Sequence, residues 1–176
     1  LGAVIITGET ARKQNARAVA QALSRLAGDF VVATAGPALE SILAGRGSGA
    51  AELSRTSGKR VMNLDIGGGT TNVVLFDSGE VIGKGCVDIG GRLLKVTPDG
   101  RVEYISDSVQ RMMEADGISL HIGDEVSYGM VYRIGEIMSD LLYQWLCRKD
   151  NRLLSAIITP GSSELKFDKS IRAICF

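Results

Sequence analysis

The sequence predicts an α/β fold in which a mixed β-sheet is flanked by helices. In residues 1–59, short runs of β-branched residues alternate with segments of helical spacing, a pattern typical of βαβα units. In residues 60–105, strands follow one another through tight turns as a meander, and residues 106–176 add helices and final strands. Hydrophobic residues make up 45% of the 176 residues, enough for a sizeable buried core. We therefore expect one partial domain, residues 1–176, made of these three segments.

The first segment is predicted to contain two strands and two helices. The strands are the β-branched runs Val4–Thr7 and Phe30–Thr34, and an alanine-rich segment with helical spacing lies between them. A second helix is predicted over Pro37–Leu43, with the proline in its first turn. We expect a flexible turn or loop at the glycine-rich residues 45–49, and the polar stretch 54–59 leads into the next strand.

The second segment is predicted to be an antiparallel meander. Its residues alternate with a period of two, and Ser78-Gly79 and Pro98-Asp99-Gly100 have the composition of hairpin turns. The predicted strands are Arg60–Ile66, Thr70–Asp77, Glu80–Ile89, Leu93–Val96 and Val102–Ile105.

The third segment is predicted to contain a short helix, Ser106–Ala115, and a long helix, Asp124–Cys147. Strands are then expected at Ala156–Thr159 and Ile171–Phe176, with a loop at 160–168 between them. The long helix has an apolar stripe at three- and four-residue steps, which we interpret as core. The stripe residues are Val126, Met130, Ile134, Ile137, Leu141 and Trp145.

Composition argues against several classes of function. Lys and Arg number 20, as do Asp and Glu, so no net charge attracts nucleic acid or an anionic membrane. The cysteines, Cys86, Cys147 and Cys175, lack Cys-x-x-Cys spacing, and His121 is the single histidine, so we expect neither disulfides nor a zinc site. No apolar run reaches the roughly 18 residues that cross a bilayer. We expect a cytoplasmic protein that binds neither nucleic acid nor membrane.

The strongest functional signal lies where the first meander strand ends. Asp65 is followed by three glycines and then by two threonines. Glycines without Cβ atoms let backbone N–H groups approach phosphate oxygens, and Thr70 or Thr71 can donate a further hydrogen bond. The Asp65 carboxylate is a hard oxygen ligand for magnesium, directly or through water. The predicted Mg-nucleotide site consists of Asp65, Gly67, Gly68, Gly69, Thr70 and Thr71.

Other glycine motifs do not fit this segment. A P-loop requires Gly-Lys-Ser/Thr before a helix, and a dinucleotide-binding fingerprint also opens a helix, whereas these glycines lie between two strands. The structural alternative is a glycine-rich β-turn in which Asp65 is a turn former. Asp88, just before Gly90 and Gly91, is also next to a turn, but its spacing does not require a role in the site.

The segment Asp65–Asn72 closely resembles the second phosphate-binding hairpin of the superfamily that contains actin, the heat-shock-70 chaperones and sugar kinases. This resemblance implies an actin-like ATPase lobe with a ribonuclease H-like fold. It also implies that Asp65 lies near magnesium and contacts it through water, and that Gly67–Gly69 and Thr70 contact the β and γ phosphates of ATP.

A narrower resemblance covers most of the chain. Residues 6–16, 28–37 and 90–94 are similar to the ethanolamine ammonia-lyase reactivating factors of ethanolamine utilization. The resemblance implies a chaperone-like factor that uses ATP to release damaged cobalamin from the adenosylcobalamin-dependent lyase, so that an intact cofactor replaces it. The implied partner is ethanolamine ammonia-lyase, and the implied location is the cytoplasm, in association with a bacterial microcompartment.

The same resemblance predicts weak ATP hydrolysis. Gly36 aligns with the catalytic glutamate of the chaperones, so we expect slow hydrolysis in the full-length protein, with Glu40 as the candidate to orient water. The first phosphate hairpin and the adenosine motif of the superfamily are not among these residues, so we expect a truncated lobe that is inactive alone. An open sheet edge would favour a homodimer. The alternatives are a sugar or acid kinase and an actin-like protein that polymerises with nucleotide.

Overall fold

A computed structural model of the chain describes residues 2–6, 15–26, 30–34, 36–147, 149, 151–159, 162, 165 and 171–176. Residues 7–14, which carry part of the family resemblance, and most of the predicted loop 160–168 lie outside the described residues. The expected class, α/β with a mixed sheet and flanking helices, is confirmed. The described strands are β1 (Gly2–Ile6), β2 (Phe30–Thr34), β3 (Arg60–Ile66), β4 (Thr71–Asp77), β5 (Glu80–Val87), β6 (Leu94–Val96), β7 (Val102–Ile105) and β8 (Ile171–Cys175). The described helices are α1 (Ala16–Leu26), α2 (Pro37–Gly47), α3 (Ala50–Ser57), α4 (Asp107–Ala115), α5 (Tyr128–Leu146) and α6 (Arg152–Ile157).

The largest described sheet has four strands in the order β5-β4-β3-β8. Strands β3, β4 and β5 are antiparallel neighbours, and β8 is parallel to β3, so the sheet is mixed as predicted. The turn between β4 and β5 is at Ser78 and Gly79, whose φ angles of 54° and 87° are the left-handed values that a two-residue hairpin requires. Strands β1 and β2 form a parallel pair, and β6 and β7 form an antiparallel hairpin.

Apolar side chains pack on both faces of the four-stranded sheet. On one face, Val73 belongs to a buried cluster with Trp145 of α5. On the other face, Val74 and Phe76 cluster with Ala50 of α3. The sheet is therefore the middle of three layers, with α5 on one side and α2 and α3 on the other. None of the described helices combines the length and the apolar character that crossing a bilayer requires.

The loop predicted at 45–49 is wrong. Helix α2 continues through Gly47, into the loop predicted at 45–49, because it packs closely on β4. A Cβ on Gly45 would lie 2.6 Å from Cε2 of Phe76, so glycine allows this approach. The polar stretch 54–59 is mostly the end of helix α3, and the buried Ser54 hydroxyl donates to the backbone carbonyl of Lys59 at 2.7 Å, just beyond the helix end.

The long helix predicted at Asp124–Cys147 begins later than expected, at Tyr128. The residues before it pair with the β6–β7 hairpin instead, since the Val126 amide donates to the Gly100 carbonyl at 2.8 Å. The Ser127 side chain then caps the helix by accepting a hydrogen bond from a first-turn amide. The interpretation of the apolar stripe as core is confirmed. Its buried members are Ile134, Ile137, Leu141 and Trp145.

The strand predicted at Ala156–Thr159 is also wrong, because helix α6 extends to Ile157. The Asn151 side chain caps this helix by accepting a hydrogen bond from a first-turn amide at 2.9 Å. Leu154 and Ile157 are one helical turn apart, and both are buried in the core. Ile158 forms an isolated bridge with β5 rather than part of a strand.

We expect Gly45→Ala to destabilise the protein by about 1–3 kcal/mol, because the new methyl group would overlap Val74 and Phe76. The matched control is Gly47→Ala in the same helix, where an added Cβ meets nothing within 4 Å. The measurement is the free energy of unfolding in urea. Equal stability of the two variants would contradict the close packing of α2 on β4.

Candidate functional site

The predicted phosphate hairpin is the β3–β4 pair, and its turn is Gly67–Thr70. The strand register places Ile66 opposite Thr71. The Gly67 amide donates to the Thr70 carbonyl at 2.9 Å and closes the turn. The glycines therefore lie between two antiparallel strands, as the sequence predicts.

The turn has hydrogen-bond donors that no described residue uses. Within the described part of the chain, the backbone amides of Gly68, Gly69 and Thr70 make no hydrogen bond, and neither does the Thr70 hydroxyl. Thr70 is nevertheless only 7% exposed. Successive backbone amides in a turn are typical anion-binding groups, and the Thr70 hydroxyl can donate a further hydrogen bond to a ligand or to water.

Thr71 has a different environment from Thr70. It is fully buried, and its hydroxyl donates to the Ile89 carbonyl at 2.7 Å. This bond joins the start of β4 to the chain just after β5. Of the two threonines predicted for the site, Thr70 therefore has a hydroxyl proton available for a ligand, whereas the proton of Thr71 is used inside the fold.

A second segment, Gly90–Arg92, supports the turn through its backbone. The Gly91 amide donates to the Gly67 carbonyl at 2.9 Å, and the Arg92 amide donates to the Gly68 carbonyl at 2.8 Å. A Cβ on Gly90 would lie 2.7 Å from the carbonyl carbon and oxygen of Gly68, so only glycine allows the two backbones to approach this closely. The carbonyls of the turn are thus held by the protein, which fixes the turn before any ligand binds.

Asp65 lies at the end of β3, directly opposite Asn72 on β4. Its half-buried carboxylate forms no hydrogen bond or ion pair with the described residues. Asn63, on the same face of β3, is buried, and its Oδ1 has no partner within the described residues. Such oxygens suit magnesium or the waters that it retains. No three His, Cys, Asp or Glu side chains of the described residues form a metal site, so an ion here would take most of its ligands from phosphate and water.

Helix α2 runs along β4 with its N-terminal end toward the turn. The Ser41 hydroxyl donates to Oδ1 of Asn72 at 3.4 Å, and Gly45, one helical turn later, packs against Val74 and Phe76. The first turn of α2 is therefore at the level of the glycine turn. Its N-cap residue offers no side-chain hydrogen bond, so the positive end of the helix dipole is not capped by a side chain.

Glu40 and Gly36 belong to this end of α2. Glu40 lies in the first turn of the helix and is half-buried, next to Ser41, which contacts the hairpin. Gly36 is the N-cap residue, with φ −70° and ψ 162°, an extended conformation that any residue adopts. A Cβ on Gly36 would meet nothing within 4 Å. Both positions predicted to bear on hydrolysis are thus at the turn end of the helix.

A cleft of about 280 Å³ opens beside the turn, and most of the residues that line it are not among those predicted from the sequence. Gly69 and Thr70 line it together with Asp88, and the first turns of α4 contribute Asp107 and Arg111. Asp88 follows β5 and Asp107 begins a helix, features that are visible in the sequence. Their approach to the glycine turn depends on how β5 and α4 pack, for which local sequence patterns give no signal.

These observations fit a magnesium-bound phosphate. The turn offers unpartnered amides and the Thr70 hydroxyl, its backbone is fixed by Gly90–Arg92, and Asp65 provides a carboxylate at the end of the adjoining strand. Phosphate oxygens accept hydrogen bonds from such donors, and magnesium takes oxygen ligands from carboxylates, phosphates and water.

We expect only one of the two threonine hydroxyls, that of Thr71, to contribute to the stability of the fold. Thr71→Val should destabilise the protein by about 1–3 kcal/mol, because it leaves the Ile89 carbonyl without its donor. Thr70→Val should leave the free energy of unfolding unchanged within about 0.5 kcal/mol, because the Thr70 hydroxyl has no described partner to lose. Urea unfolding of both variants checks this. A larger loss of stability in Thr70→Val would show that its hydroxyl is structural.

The chain is similar to two named bacterial proteins. It is 53% identical over 160 residues to the ethanolamine ammonia-lyase reactivase EutA of Salmonella typhimurium (strain LT2), a match that covers 91% of the chain and 34% of that protein. It is 52% identical over 113 residues to the protein of the same name from Escherichia coli (strain K12), which covers 64% of the chain and 24% of that protein. The matched part of the chain thus spans about a third of the first relative and about a quarter of the second.

Solved structures of low sequence identity also resemble the chain. The match to the PPX-GPPA enzyme of Aquifex aeolicus covers 80% of the present chain and 38% of the enzyme's chain, with 21% identity and a TM-score of 0.46. The match to MreB 5 of Spiroplasma citri bound to AMPPNP covers 88% of the present chain and 52% of the MreB 5 chain, with 13% identity and a TM-score of 0.39.

A family model gives the broadest match. It is described as ethanolamine utilisation protein EutA, and it matches residues 1–176. The segments singled out in the sequence, including the glycine turn and Gly90–Arg92 beside it, all lie within this match. Because the match covers the whole chain, the chain belongs to the EutA family of ethanolamine utilisation proteins.

Proposed function

We propose that this chain is part of a chaperone-like, ATP-dependent factor that reactivates the adenosylcobalamin-dependent ethanolamine ammonia-lyase. ATP drives the release of damaged cobalamin from the lyase, and intact cobalamin then takes its place. The chain itself performs no cobalamin chemistry in this proposal. Membership of the EutA family and the names of the two relatives support it.

The observation that carries the proposal is the set of unpartnered donors in the glycine turn. The amides of Gly68, Gly69 and Thr70 and the Thr70 hydroxyl bind the phosphates of ATP, and Asp65 holds magnesium through water. Gly67 and Thr71 have a structural role in this proposal and do not donate to phosphate. The Gly67 amide closes the turn, and the Thr71 hydroxyl bonds the start of β4 to the Ile89 carbonyl. The positive end of the α2 dipole lies at the same level as the turn and favours negative charge there.

The partner in this proposal is ethanolamine ammonia-lyase, and the factor acts in the cytoplasm, in association with a bacterial microcompartment. The names of the relatives support the lyase as partner. We further propose a homodimer, for which an open edge of the four-stranded sheet would supply backbone hydrogen-bonding groups.

Hydrolysis is slow in this proposal, since the resemblance to the chaperones aligns Gly36, the N-cap residue of α2, with their catalytic glutamate. Glu40, in the first turn of α2, is the candidate to orient the attacking water instead. Slow hydrolysis suits a factor that must stay bound to its partner while a large cofactor leaves.

We expect Asp65→Ala to weaken the binding of Mg-ATP to the full-length protein by about tenfold or more, because a carboxylate contact to the hydrated magnesium is lost. Calorimetric titration measures this, and Asp99→Ala, at an exposed aspartate of the β6–β7 turn, is the control. A lyase reactivation assay with the same variants then follows. If Asp65→Ala bound as tightly as the parent, the hairpin would be a structural turn.

We expect Gly36→Glu to raise the rate of ATP hydrolysis by the full-length protein by about tenfold or more, because it restores a carboxylate that can orient water. The extended backbone and open space at Gly36 accept the larger residue without strain. Gly36→Gln, which has the same size without the charge, is the control. Two results together would assign the water-orienting role to Glu40 alone. Gly36→Glu would hydrolyse ATP at the parent's rate, and Glu40→Gln would hydrolyse ATP no faster than a sample without protein.

A further inference from the structure

The outward side of α5 carries a row of tyrosines. Three of the four tyrosines of the chain lie on this helix, and Tyr128, Tyr132 and Tyr143 are 85%, 63% and 59% exposed. They are spaced by about one and about three helical turns, so their side chains share one face. The opposite face of the helix, with Ile134 and Leu141, is packed in the core. We define the tyrosine face of α5 by Tyr128, Tyr132, Gly135, Ser139 and Tyr143.

The middle of the tyrosine face is low. A Cβ on Gly135 would meet nothing within 4 Å, and the Ser139 hydroxyl turns back to donate to the Gly135 carbonyl at 2.8 Å. The helix surface between Tyr132 and Tyr143 is therefore accessible to a side chain of another molecule. A tyrosine ring at each end of such a stretch can cover the aliphatic stem of a long side chain, and tyrosine is enriched among the residues that contribute most to protein–protein binding.

The surface around the tyrosine face is acidic. Residues 97–146 contain nine of the 20 acidic side chains of the chain but only three of its 20 basic ones, and all nine carboxylates are exposed. On α5 itself, Asp140 is exposed and has no ion pair within the described residues. Arg133, the one cation of α5, already pairs with Asp116 at 2.9 Å and with Glu136 at 3.6 Å. The face thus has negative charge that its own cations do not balance.

These properties fit a partner with basic side chains. An arginine or lysine can stack on a tyrosine ring and pair with a carboxylate beside it, so one such side chain would use both the rings and the charge. The protein has an internal example, since the Lys149 ammonium lies 5.5 Å from the centre of the Tyr143 ring. A symmetric contact between two copies of α5 would instead bring Glu136 and Asp140 of both copies together, and like charges repel. The tyrosine face therefore favours a different protein over a second copy.

We propose that the tyrosine face of α5 docks a basic patch of a partner protein, and that this partner is ethanolamine ammonia-lyase. The identity of the partner rests on the proposed function, whereas the face and the charge of its partner rest on the residues of α5. Arginine or lysine side chains of the lyase stack on Tyr132 and Tyr143 and pair with Asp140. Since α5 and α2 cover opposite sides of the sheet, the lyase docks on the side away from α2.

The test is the affinity of the full-length protein for purified ethanolamine ammonia-lyase, measured by biolayer interferometry without nucleotide, with Mg-ATP and with Mg-ADP. Tyr132→Ala and Tyr143→Ala should each weaken binding by about tenfold or more, as expected for tyrosines at the centre of an interface. Leu43→Ala, at an exposed residue of α2, is the control and should bind as the parent does. Asp140→Lys should weaken binding by about tenfold more than Glu80→Lys, which makes the same change of charge at an exposed residue of β5.

Salt and self-association distinguish the remaining outcomes. The affinity of the parent should fall as the salt concentration rises, and Asp140→Lys should reduce that dependence. If neither salt nor Asp140→Lys changes the affinity, the basic patch is wrong. If the parent self-associates in analytical ultracentrifugation and Tyr132→Ala and Tyr143→Ala abolish this, the face joins two copies and its docking to the lyase is wrong.

The same binding measurements separate this inference from the proposed function. If the parent binds the lyase and both tyrosine variants bind as the parent does, the docking face is wrong and the proposed function stands. If the parent does not bind the lyase in any nucleotide state, both the inference and the proposed partner are wrong. Circular dichroism confirms that each variant is folded.

Discussion

The antiparallel pairing of β3 with β4 is the constraint on which the rest of the structure depends. Both strands lie inside the sheet and are covered on both faces, so their register cannot shift without exposing apolar side chains. That register fixes Asp65 opposite Asn72 and leaves Gly67–Thr70 as the turn. A flexible loop that was not held between paired strands could offer the same amides, but it would lose conformational entropy when it bound a ligand. Here the folding of the core supplies that order in advance.

The polar residues around the turn divide into those that hold the structure and those that remain available. Gly67 and Thr71 direct their donors inward, and the carbonyls of Gly67 and Gly68 accept hydrogen bonds from the neighbouring segment. The amides of Gly68, Gly69 and Thr70 donate to none of the described residues, so they remain available to a ligand. The division follows from geometry, because residues that close a hairpin must use their own backbone groups for it, whereas residues at its tip have no strand opposite them.

The sequence predicted the parts of the fold that depend on local chemistry. Residue type and spacing alone indicate three features that the structure contains. They are the hairpin at Ser78 and Gly79, the turn glycines and the apolar stripe of α5. The errors occurred where contacts distant in sequence decide the outcome. Gly45 and Gly47 have the composition of a loop, yet α2 continues through them because Gly45 fits against β4, and α6 replaces a predicted strand because Asn151 caps it and its apolar residues meet the core. For the same reason the sequence indicated the glycine turn but not Asp88, Asp107 and Arg111, which reach the cleft through packing.

The close fit of Gly45 against Val74 and Phe76 makes α2 and the hairpin one rigid unit. Packed interiors respond to small displacements by moving as bodies rather than by compressing. With the Ser41–Asn72 hydrogen bond at one point and the Gly45 contact one helical turn away, a shift of the hairpin would carry α2 with it. A displacement of the glycine turn would therefore also displace the exposed side of α2, which faces away from the sheet.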